Sequence, residues 1–438
     1  MSGKATITEV AEAKGGPAEK ISGHAWYALG LLTIVYVLNF LDRTLIYFLF
    51  TPIKAEMTLT DTQLAILGPT SFVIFYTLLG IPFGRMADRV SRKKLIAAGL
   101  AVWSLFSGLT GFATGFWTMF LCRVMVGVGE ATLGPAALSL LSDYFPPRVR
   151  ATVQAVYSSG IAVGAGAAFF LGGWIARDYG WRWAFYLLGF PGLVFALLVL
   201  LLRERPRGQT ETATGSYSRE DWRVLFTSRP LIYLYLGYAL FGLAANSLSI
   251  WGTLFFARVH KLDLALIGWL GGVLSVAAGV PGTILGGYVA DRLRRKGRGG
   301  RMLFSACGAV LAIPCWLLLL FSDAAWSLLF ANFVLLALSL MWLGPAAADV
   351  HEIAGPRLRG LGIGIYFFAV NIAAYAVGAP LVGKLNDLLG ADRNPQMMRY
   401  ALLVSPLACA ASALLLWRGS KKLREDGGPA AGRPNAGP

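Results

Sequence analysis

The sequence is dominated by apolar runs of about 20 residues, each long enough to cross the roughly 30 Å hydrocarbon core of a bilayer. About twelve such runs follow one another along the 438 residues, joined by short polar connections. Only 14% of the residues are charged and 56% are hydrophobic, whereas a soluble domain carries about 25% charged residues. Because backbone groups in lipid must be hydrogen-bonded internally, runs of this length indicate helices. The sequence therefore predicts an all-α membrane protein.

The predicted spans form two groups of six, separated by a polar stretch at 203–229 that is rich in Arg, Glu, Gly, Ser and Thr. We interpret this stretch as a cytoplasmic linker between a six-helix bundle at 23–202 and a second one at 230–418. A disordered N-terminus at 1–22 and a tail at 419–438 complete the chain. The twelve spans are predicted near 25–50, 63–83, 95–111, 116–141, 151–176, 183–202, 230–257, 265–290, 302–321, 326–348, 361–384 and 397–417.

The net charge of +16 comes mainly from Lys and Arg in short loops between spans, as the positive-inside rule expects. This pattern argues against nucleic-acid binding and predicts that both termini are cytoplasmic, in what we expect to be a bacterial inner membrane. Four cysteines fall inside apolar runs without paired or metal-ligand spacing, so neither a disulfide nor a zinc site is predicted. The start of the chain lacks the apolar region of a signal peptide, so the first span is expected to act as the insertion signal.

Three landmarks recur in the second half. Gly84-Arg-Met-Ala-Asp88-Arg89 returns as Gly287-Tyr-Val-Ala-Asp291-Arg292, Gly134-Pro-Ala-Ala returns from Gly344, and Pro147-Arg-Val-Arg150 returns from Pro356, at offsets of 203, 210 and 209 residues. Nearly constant offsets indicate a duplicated six-span unit. Two like halves around a central site favour a rocking motion, with substrate bound near the midplane.

Four ionisable residues lie inside apolar runs of the first half: Asp42 and Arg43 in the first, and Arg123 and Glu130 in the fourth. A charge at bilayer depth costs several kcal/mol, so it is kept mainly where it faces a cavity, pairs with another charge, or moves a proton or substrate. We therefore take this quartet as the candidate transport pathway.

These motifs resemble the major facilitator superfamily over about residues 25 to 418. Gly84 to Lys93 and its repeat are similar to the family's loop signature, and the Arg123 to Ala131 segment is similar to its fourth-span signature. More narrowly, Asn39-Phe-Leu-Asp42-Arg43 and Gly127-Val-Gly-Glu130-Ala resemble the spinster-like branch. The resemblance implies twelve helices in two pseudo-symmetric bundles, and transport of lysophospholipids or sphingoid phosphates by alternating access.

We assign provisional roles to the quartet. Arg123 and Glu130 are two helical turns apart, about 10 Å along the axis, so Asp42 on the antiparallel first span is expected to pair with Arg123. Asp42 and Glu130 would then exchange protons, while Arg123 alternates between them and an anionic head group. Arg43 points about 100° away from Asp42 and is either a second head-group ligand or an interface anchor. The alternative is a fixed ion-pair network that only joins the first and fourth spans.

Two further sets of residues complete the predicted site. A latch would keep the cytoplasmic end shut until the halves rock. In it Asp88 would hold a neighbouring helix N-terminus or a loop arginine such as Arg148 or Arg150, and Asp291 would do the same with Arg357 or Arg359. The latch residues are Gly84, Asp88, Arg89, Arg92, Arg148, Arg150, Asp291, Arg292, Arg357 and Arg359. Residues of the seventh span are candidates for cavity lining, although polar residues there are more often interhelical hydrogen-bond partners. They are Phe241, Asn246, Ser247, Ser249 and Trp251.

The sequence thus favours a proton-coupled secondary transporter for an amphipathic anionic lipid, working as a monomer with protons as coupling ion and no other cofactor. A proton-linked exporter of drugs or small organic anions is the alternative. A membrane-embedded lipid hydrolase or acyltransferase is disfavoured because the sequence has no nucleophile elbow, His-rich cluster or metal-ligand spacing. A signalling scaffold would leave the duplicated layout without a purpose.

Overall fold

A computed structural model describes residues 21–87, 89–204, 223, 225–297 and 299–425. The all-α prediction is confirmed: the described chain folds into helices that follow the predicted spans. Ten helical stretches in the described residues have the length and hydropathy of membrane-spanning segments. The other two predicted spans, the third and fourth, are also helical. The duplicated twelve-span plan is therefore consistent with the observed helices.

The first half contains spans 1 to 6, with a short helix, Phe50–Met57, after span 1. Span 2 contains a π-helical turn, span 4 is interrupted after Glu130, and span 6 is interrupted after Gly189. The helices are Gly23–Phe48 (span 1), Asp61–Ala65, Ile66–Thr70 and Ser71–Ala87 (span 2), Arg92–Thr110 (span 3), Phe116–Glu130 and Leu133–Tyr144 (span 4), Pro147–Asp178 (span 5), and Trp181–Gly189 and Gly192–Leu200 (span 6).

The second half contains spans 7 to 12. Spans 10 and 11 run together through Gly355, whose φ of 75° is the left-handed conformation that glycine adopts without steric cost. The helices are Arg229–Val259 (span 7), Leu264–Arg295 (span 8), Gly300–Phe321 (span 9), Ala325–Met341 and Leu343–Asn371 (span 10 and the start of span 11), Ile372–Gly378 and Ala379–Leu389 (the rest of span 11), and Met397–Ala401 and Val404–Glu425 (span 12).

One difference from the predicted boundaries concerns the C-terminal end. The last helix continues to Glu425, so the polar tail assigned to 419–438 begins as part of span 12. Its polar turns are anchored because Ser420 Oγ donates a 2.8 Å hydrogen bond to the Gly299 carbonyl. The N-terminal segment 1–20, most of the linker and residues 426–438 lie outside the described residues.

The helix bundle has two ends, one on each side of the membrane. We call the end that holds the start of span 1, the end of span 6 and the start of span 7 the linker end, and the opposite one the distal end. The two halves contact each other through spans 5 and 8 and through spans 2 and 11. The contacts of span 5 with span 8 involve its distal part, where Gly173 faces Leu264 and Gly268 faces Phe169. The halves are therefore packed together at the distal end.

Glycine makes this approach of spans 5 and 8 possible. A Cβ at Gly268 would lie 2.5 Å from the Phe169 carbonyl oxygen, whereas a Cβ at Gly166 on the same interface would have its nearest neighbour, Val276 Cγ2, at 4.0 Å. We expect Gly268→Ala to favour separation of the halves at the distal end, because backbone of the other half cannot move aside locally. Gly166→Ala is the matched control.

The two variants are compared by the distribution of distances between spin labels, one on each half at the distal end. Gly268→Ala is expected to increase the long-distance population and Gly166→Ala to leave it at the wild-type level. Equal distributions in the two variants would contradict the role given to Gly268.

Candidate functional site

Span 4 is held close to its neighbours at the level of the quartet. A Cβ at Gly127 would lie 2.7 Å from the Phe72 carbonyl oxygen in span 2, and one at Gly129 would lie 2.6 Å from the Gly99 carbonyl oxygen in span 3. The two glycines therefore remove the side chains that would keep spans 2, 3 and 4 apart. Glu130, which follows directly, is thereby buried to 1% exposure between these spans.

Asp42 and Arg43 face different neighbours, as adjacent helical residues must. Asp42 is 2% exposed and accepts a 2.6 Å hydrogen bond from Ser107 Oγ of span 3. Arg43 lies on the other side and donates from Nε to Glu130 Oε2 over 2.6 Å. The ion pair that joins spans 1 and 4 is therefore formed by Arg43 and Glu130.

This pair corrects the expected pairing of Asp42 with Arg123. Arg123 is fully buried, and none of its three guanidinium nitrogens has a hydrogen-bond partner among the described residues. The rotation of span 1 about its axis explains the difference, because it turns Asp42 toward span 3 and Arg43 toward span 4. Arg43, which the sequence left as either a ligand or an interface anchor, is thus part of the buried ion pair.

Arg43 is also surrounded by aromatic rings. Its guanidinium carbon lies 4.5 Å from the Tyr76 ring centroid, 4.6 Å from that of Phe72 and 5.1 Å from that of Phe40. Cation–π contacts at such distances each stabilise a cation by about 0.5–2 kcal/mol. The rings therefore hold the guanidinium in place independently of Glu130.

The two partners of the ion pair differ in access. The Arg43 side chain is 19% exposed and the Glu130 side chain is 0% exposed. The second carboxylate oxygen of Glu130, Oε1, is buried and receives no hydrogen bond from the described part of the chain. The Arg43 side chain is therefore partly accessible, and a proton on Glu130 Oε1 would displace no hydrogen-bond donor of the described residues.

The predicted lining residues of span 7 are mostly core residues. Phe241, Trp251 and Ser247 are 2%, 0% and 3% exposed, and Ser247 Oγ bonds to the Leu243 carbonyl of its own helix. All three are therefore buried in the second half, and Phe241 lines only a small apolar pocket that it shares with residues of spans 9, 10 and 12. Ser249 is half-buried.

Asn246 is the member of this set that is linked to the first half, through Tyr375. Its Oδ1 accepts a 2.5 Å hydrogen bond from Tyr375 Oη of span 11, while its Nδ2 donates to the Gly242 carbonyl. The carbonyl of Tyr375 accepts a 2.7 Å bond from Thr70 Oγ1 of the first half. Thr70 and Tyr375 both lie in π-helical segments, which are frequent at functional sites. The sequence did not predict a role for Tyr375, because no sequence pattern distinguishes a π-helical segment from the α-helix around it.

The linker end of the first half contains a buried cluster around Arg92, which is 1% exposed. Arg92 Nη1 is paired with Asp143 and donates to Ser139 Oγ at 2.9 Å, and its backbone N–H donates to Glu204 Oε1 at 2.7 Å. Ser91 Oγ donates to Glu204 Oε2 at 2.5 Å. Partial burial opposes ionisation of Glu204, but the donors Ser91 and Arg92 outweigh it and hold its pKa below the usual range. The cluster joins spans 3, 4 and 6.

The second half repeats this cluster. Arg301 and Glu352 follow Arg92 and Asp143 at an offset of 209 residues, and Arg301 Nη1 lies 3.2 Å from Glu352 Oε2. Asp291 is also bound by Arg301 at 2.8 Å. Asp291 was expected to bind a loop arginine of its own half. It binds Arg301 instead, which lies at the start of span 9. The repeat offset was the signal that could have predicted this pair.

The remaining predicted latch residues are not tested in the same way. Asp88 lies outside the described residues, as do the side chains of Arg148, Arg150, Arg357 and Arg359. Arg89 and Arg292 are exposed, and Gly84 is half-buried near the end of span 2. A latch between the halves at the linker end stays a prediction.

Substitution of Arg92 by Ala is expected to lower the free energy of unfolding by about 3 kcal/mol, because it leaves Asp143 and Glu204 without their buried counter-charge. Arg89→Ala, at an exposed position three residues away, should change it by less than about 0.5 kcal/mol. Thermal unfolding in detergent, followed with both variants, checks the difference. Equal melting temperatures would remove the cluster's stabilising role.

Comparison with known proteins identifies the family. The sequence profile of the Major Facilitator Superfamily matches residues 32–374. The chain belongs to this superfamily. It is therefore an integral, multi-pass membrane transporter, and the predicted resemblance is confirmed.

Relatives of this transporter include spinster proteins. It is 28% identical to protein spinster homolog 3 of Mus musculus over 423 residues, covering 90% of this chain and 82% of the relative. It is 29% identical over 411 residues to an MFS-type efflux pump of Mycolicibacterium smegmatis, with coverage of 92% and 94%. The similarity to protein spinster homolog 3 supports the predicted spinster-like branch of the superfamily.

A solved structure supports the fold. The crystal structure of a bacterial homolog to the human lysosomal transporter spinster, in an inward-facing and unoccupied conformation, has a TM-score of 0.83 to this transporter. It is 24% identical in sequence and covers 92% of this chain and 98% of its own.

Proposed function

We propose that this transporter is a proton-coupled secondary transporter of an amphipathic anionic lipid of the lysophospholipid or sphingoid phosphate type. The observation that carries the proposal is the buried ion pair between Arg43 and Glu130. An ion pair at bilayer depth is costly to desolvate, and one partner here is accessible while the other is sealed. This arrangement suits exchange of one charge partner for another.

In the proposed cycle, a proton binds to Glu130 and neutralises it. Arg43 then loses its counter-charge and takes the anionic head group, which its forked donors suit. The aromatic rings around Arg43 keep the guanidinium in position through this exchange. Release of the head group allows Glu130 to lose its proton and the pair to form again.

Arg123 and Asp42 supply the second part of the proposed relay. Arg123 is a buried cation without a hydrogen-bond partner in the described chain, so it favours the ionised forms of carboxylates near it. Asp42, held by Ser107, is the second candidate for proton binding. We propose that Arg43, and not Arg123, binds the anionic head group, because Arg123 is fully buried.

The lipid class is supported by the distribution of polarity and by the relatives named spinster. The charged residues of the transport pathway lie in the first half, and the apolar spans of the second half suit an acyl chain. Export of drugs or small organic anions is the second candidate, favoured by the similarity to an MFS-type efflux pump. We further propose a monomer in a bacterial inner membrane with both termini in the cytoplasm.

Reconstitution into liposomes tests the substrate class. A panel of lysophospholipids, sphingoid phosphates and small organic anions is offered with and without an imposed pH gradient. We expect gradient-dependent movement of at least one lipid. Gradient-driven movement of small organic anions, with no lipid moved, would replace the lipid proposal by the exporter.

A further inference from the structure

A charge network that does not include Arg43 joins the two halves at the distal end. Asp61, at the start of span 2, is 1% exposed and binds Arg258 of span 7 through both carboxylate oxygens, with distances of 2.7 and 2.9 Å. Lys54 of the first half is paired with Asp61 and lies 2.6 Å from Asp392 of the second half. Four charges thus alternate between the halves, and two of the ion pairs cross the interface.

A fifth residue, Asp387, joins the two halves through hydrogen bonds and without a cationic partner. Asp387, near the end of span 11, accepts hydrogen bonds from the backbone N–H groups of Asp61 and Thr62 at 2.9 and 3.0 Å. Its Oδ2 also accepts from Thr62 Oγ1 at 2.5 Å. A carboxylate of one half therefore caps the first turn of a helix of the other half, where a negative charge is favoured.

The network also contains two ion pairs that lie within one half and would remain if the halves separated. Lys54 and Asp61 both belong to the first half, and Arg258 and Asp392, 3.5 Å apart, both belong to the second. If the halves separate at this end, each of these four charges keeps a partner within its own half. Losing a partner from a buried ion pair normally leaves an uncompensated charge at a cost of several kcal/mol. The alternation of charges avoids that cost.

We propose that these five residues form a charge-exchange gate that holds the distal end closed and re-pairs within each half when that end opens. In the closed form, Arg258 is bound to Asp61 across the interface. In the open form, Arg258 is bound to Asp392 and Lys54 to Asp61, while Asp387 is released to water. The gate acts on the conformational equilibrium, and it does not depend on which substrate or coupling ion the transporter uses.

The cavity next to the gate fits this interpretation. It has a volume of about 290 Å³ and is lined by both halves. Its lining residues are Thr51, Lys54 and Ala55 of the first half and Leu254, Ala257, Arg258 and Asp392 of the second. The space beside Lys54 and Arg258 allows their side chains to change partners without repacking of the core.

Burial distinguishes the gate from ordinary surface pairs at the same end. The side chains of Arg258 and Lys54 are 12% and 15% exposed, whereas those of Arg182 and Glu56 are 29% and 50% exposed. The Arg182 and Glu56 pair lies wholly within the first half. It provides a matched control that removes a distal ion pair without touching the interface between the halves.

The test is a distance measurement on the full-length transporter in lipid nanodiscs. Spin labels replace Tyr179 and Leu388, which are exposed at the distal end of the first and second half, in a background whose four cysteines are changed to serine. Arg258→Glu is expected to raise the ratio of long to short distances roughly tenfold, because it repels Asp61 while Asp61 keeps Lys54. Arg258→Lys, which keeps the charge but loses the two-point contact, should lie between Arg258→Glu and the wild type.

Two further variants make the result decisive. Asp392→Asn changes a side chain that is 54% exposed, so it tests the gate without a risk to folding. It is expected to lower the ratio, because Arg258 then has no partner in the open form, whereas Asp61 still binds both Arg258 and Lys54 in the closed form. Glu56→Gln should leave the ratio at the wild-type value. Unchanged distributions in folded Arg258→Glu and in Asp392→Asn, or an equal shift in Glu56→Gln, would overturn the gate.

Discussion

Glu130→Gln is expected to abolish the stimulation of transport by an imposed pH gradient. Glutamine keeps the shape of the side chain but cannot bind and release a proton, so Arg43 is left permanently without its counter-charge. We expect substrate movement in liposomes to be the same with and without the gradient, while the protein stays folded. The measurement is initial transport rate against the size of the gradient.

The control for this variant is Glu56→Gln at the distal surface, which should respond to the gradient as the wild type does. Asp42→Asn separates the two carboxylates: if Asp42 shares the proton relay, this variant also loses the response. Full pH dependence in Glu130→Gln would show that the coupling proton binds elsewhere.

Arg43→Ala is expected to have two separable effects. It leaves the Glu130 carboxylate buried without a counter-charge, which should lower stability by about 3–5 kcal/mol. It also removes the head-group ligand, which should weaken substrate binding by about 10- to 100-fold, the equivalent of about 1.5–3 kcal/mol for charged hydrogen bonds. Thermal unfolding measures the first effect and equilibrium binding of a lysolipid measures the second.

The double variant Arg43→Ala with Glu130→Gln distinguishes the effect on stability from the effect on substrate binding. It should recover most of the lost stability, because neither position 43 nor position 130 then holds a buried charge without its counter-charge, but it should not recover binding. Arg43→Lys keeps the charge without the planar fork and is expected to bind with intermediate affinity. Wild-type binding by the double variant would show that Arg43 stabilises the fold and does not contact the substrate.

The periodic features of this protein could be predicted from its sequence. Apolar runs gave the helices, and the repeated Gly84 and Gly287 segments gave two halves. The 100° step between Asp42 and Arg43 showed that they face different neighbours. These inferences need only the length and the geometry of a single helix.

The partner of each charge could not be predicted in the same way, because it depends on how each helix is rotated against the next. Span 1 turns Arg43 toward Glu130, so the expected pairing of Asp42 with Arg123 was wrong. The distal gate was missed because Asp61 and Asp387 are 326 residues apart and look like ordinary loop or span-end charges. Only the packing of one half against the other brings them into contact.

Proton movement coupled to lipid movement is the central claim, and a pH-sensitive dye inside liposomes measures it most directly. A lysolipid is added to liposomes without an imposed gradient, and the internal pH is followed. We predict a change in internal pH with the wild type, absent in Glu130→Gln and retained in Glu56→Gln. Lipid movement by the wild type with no change in internal pH would contradict the proposed coupling.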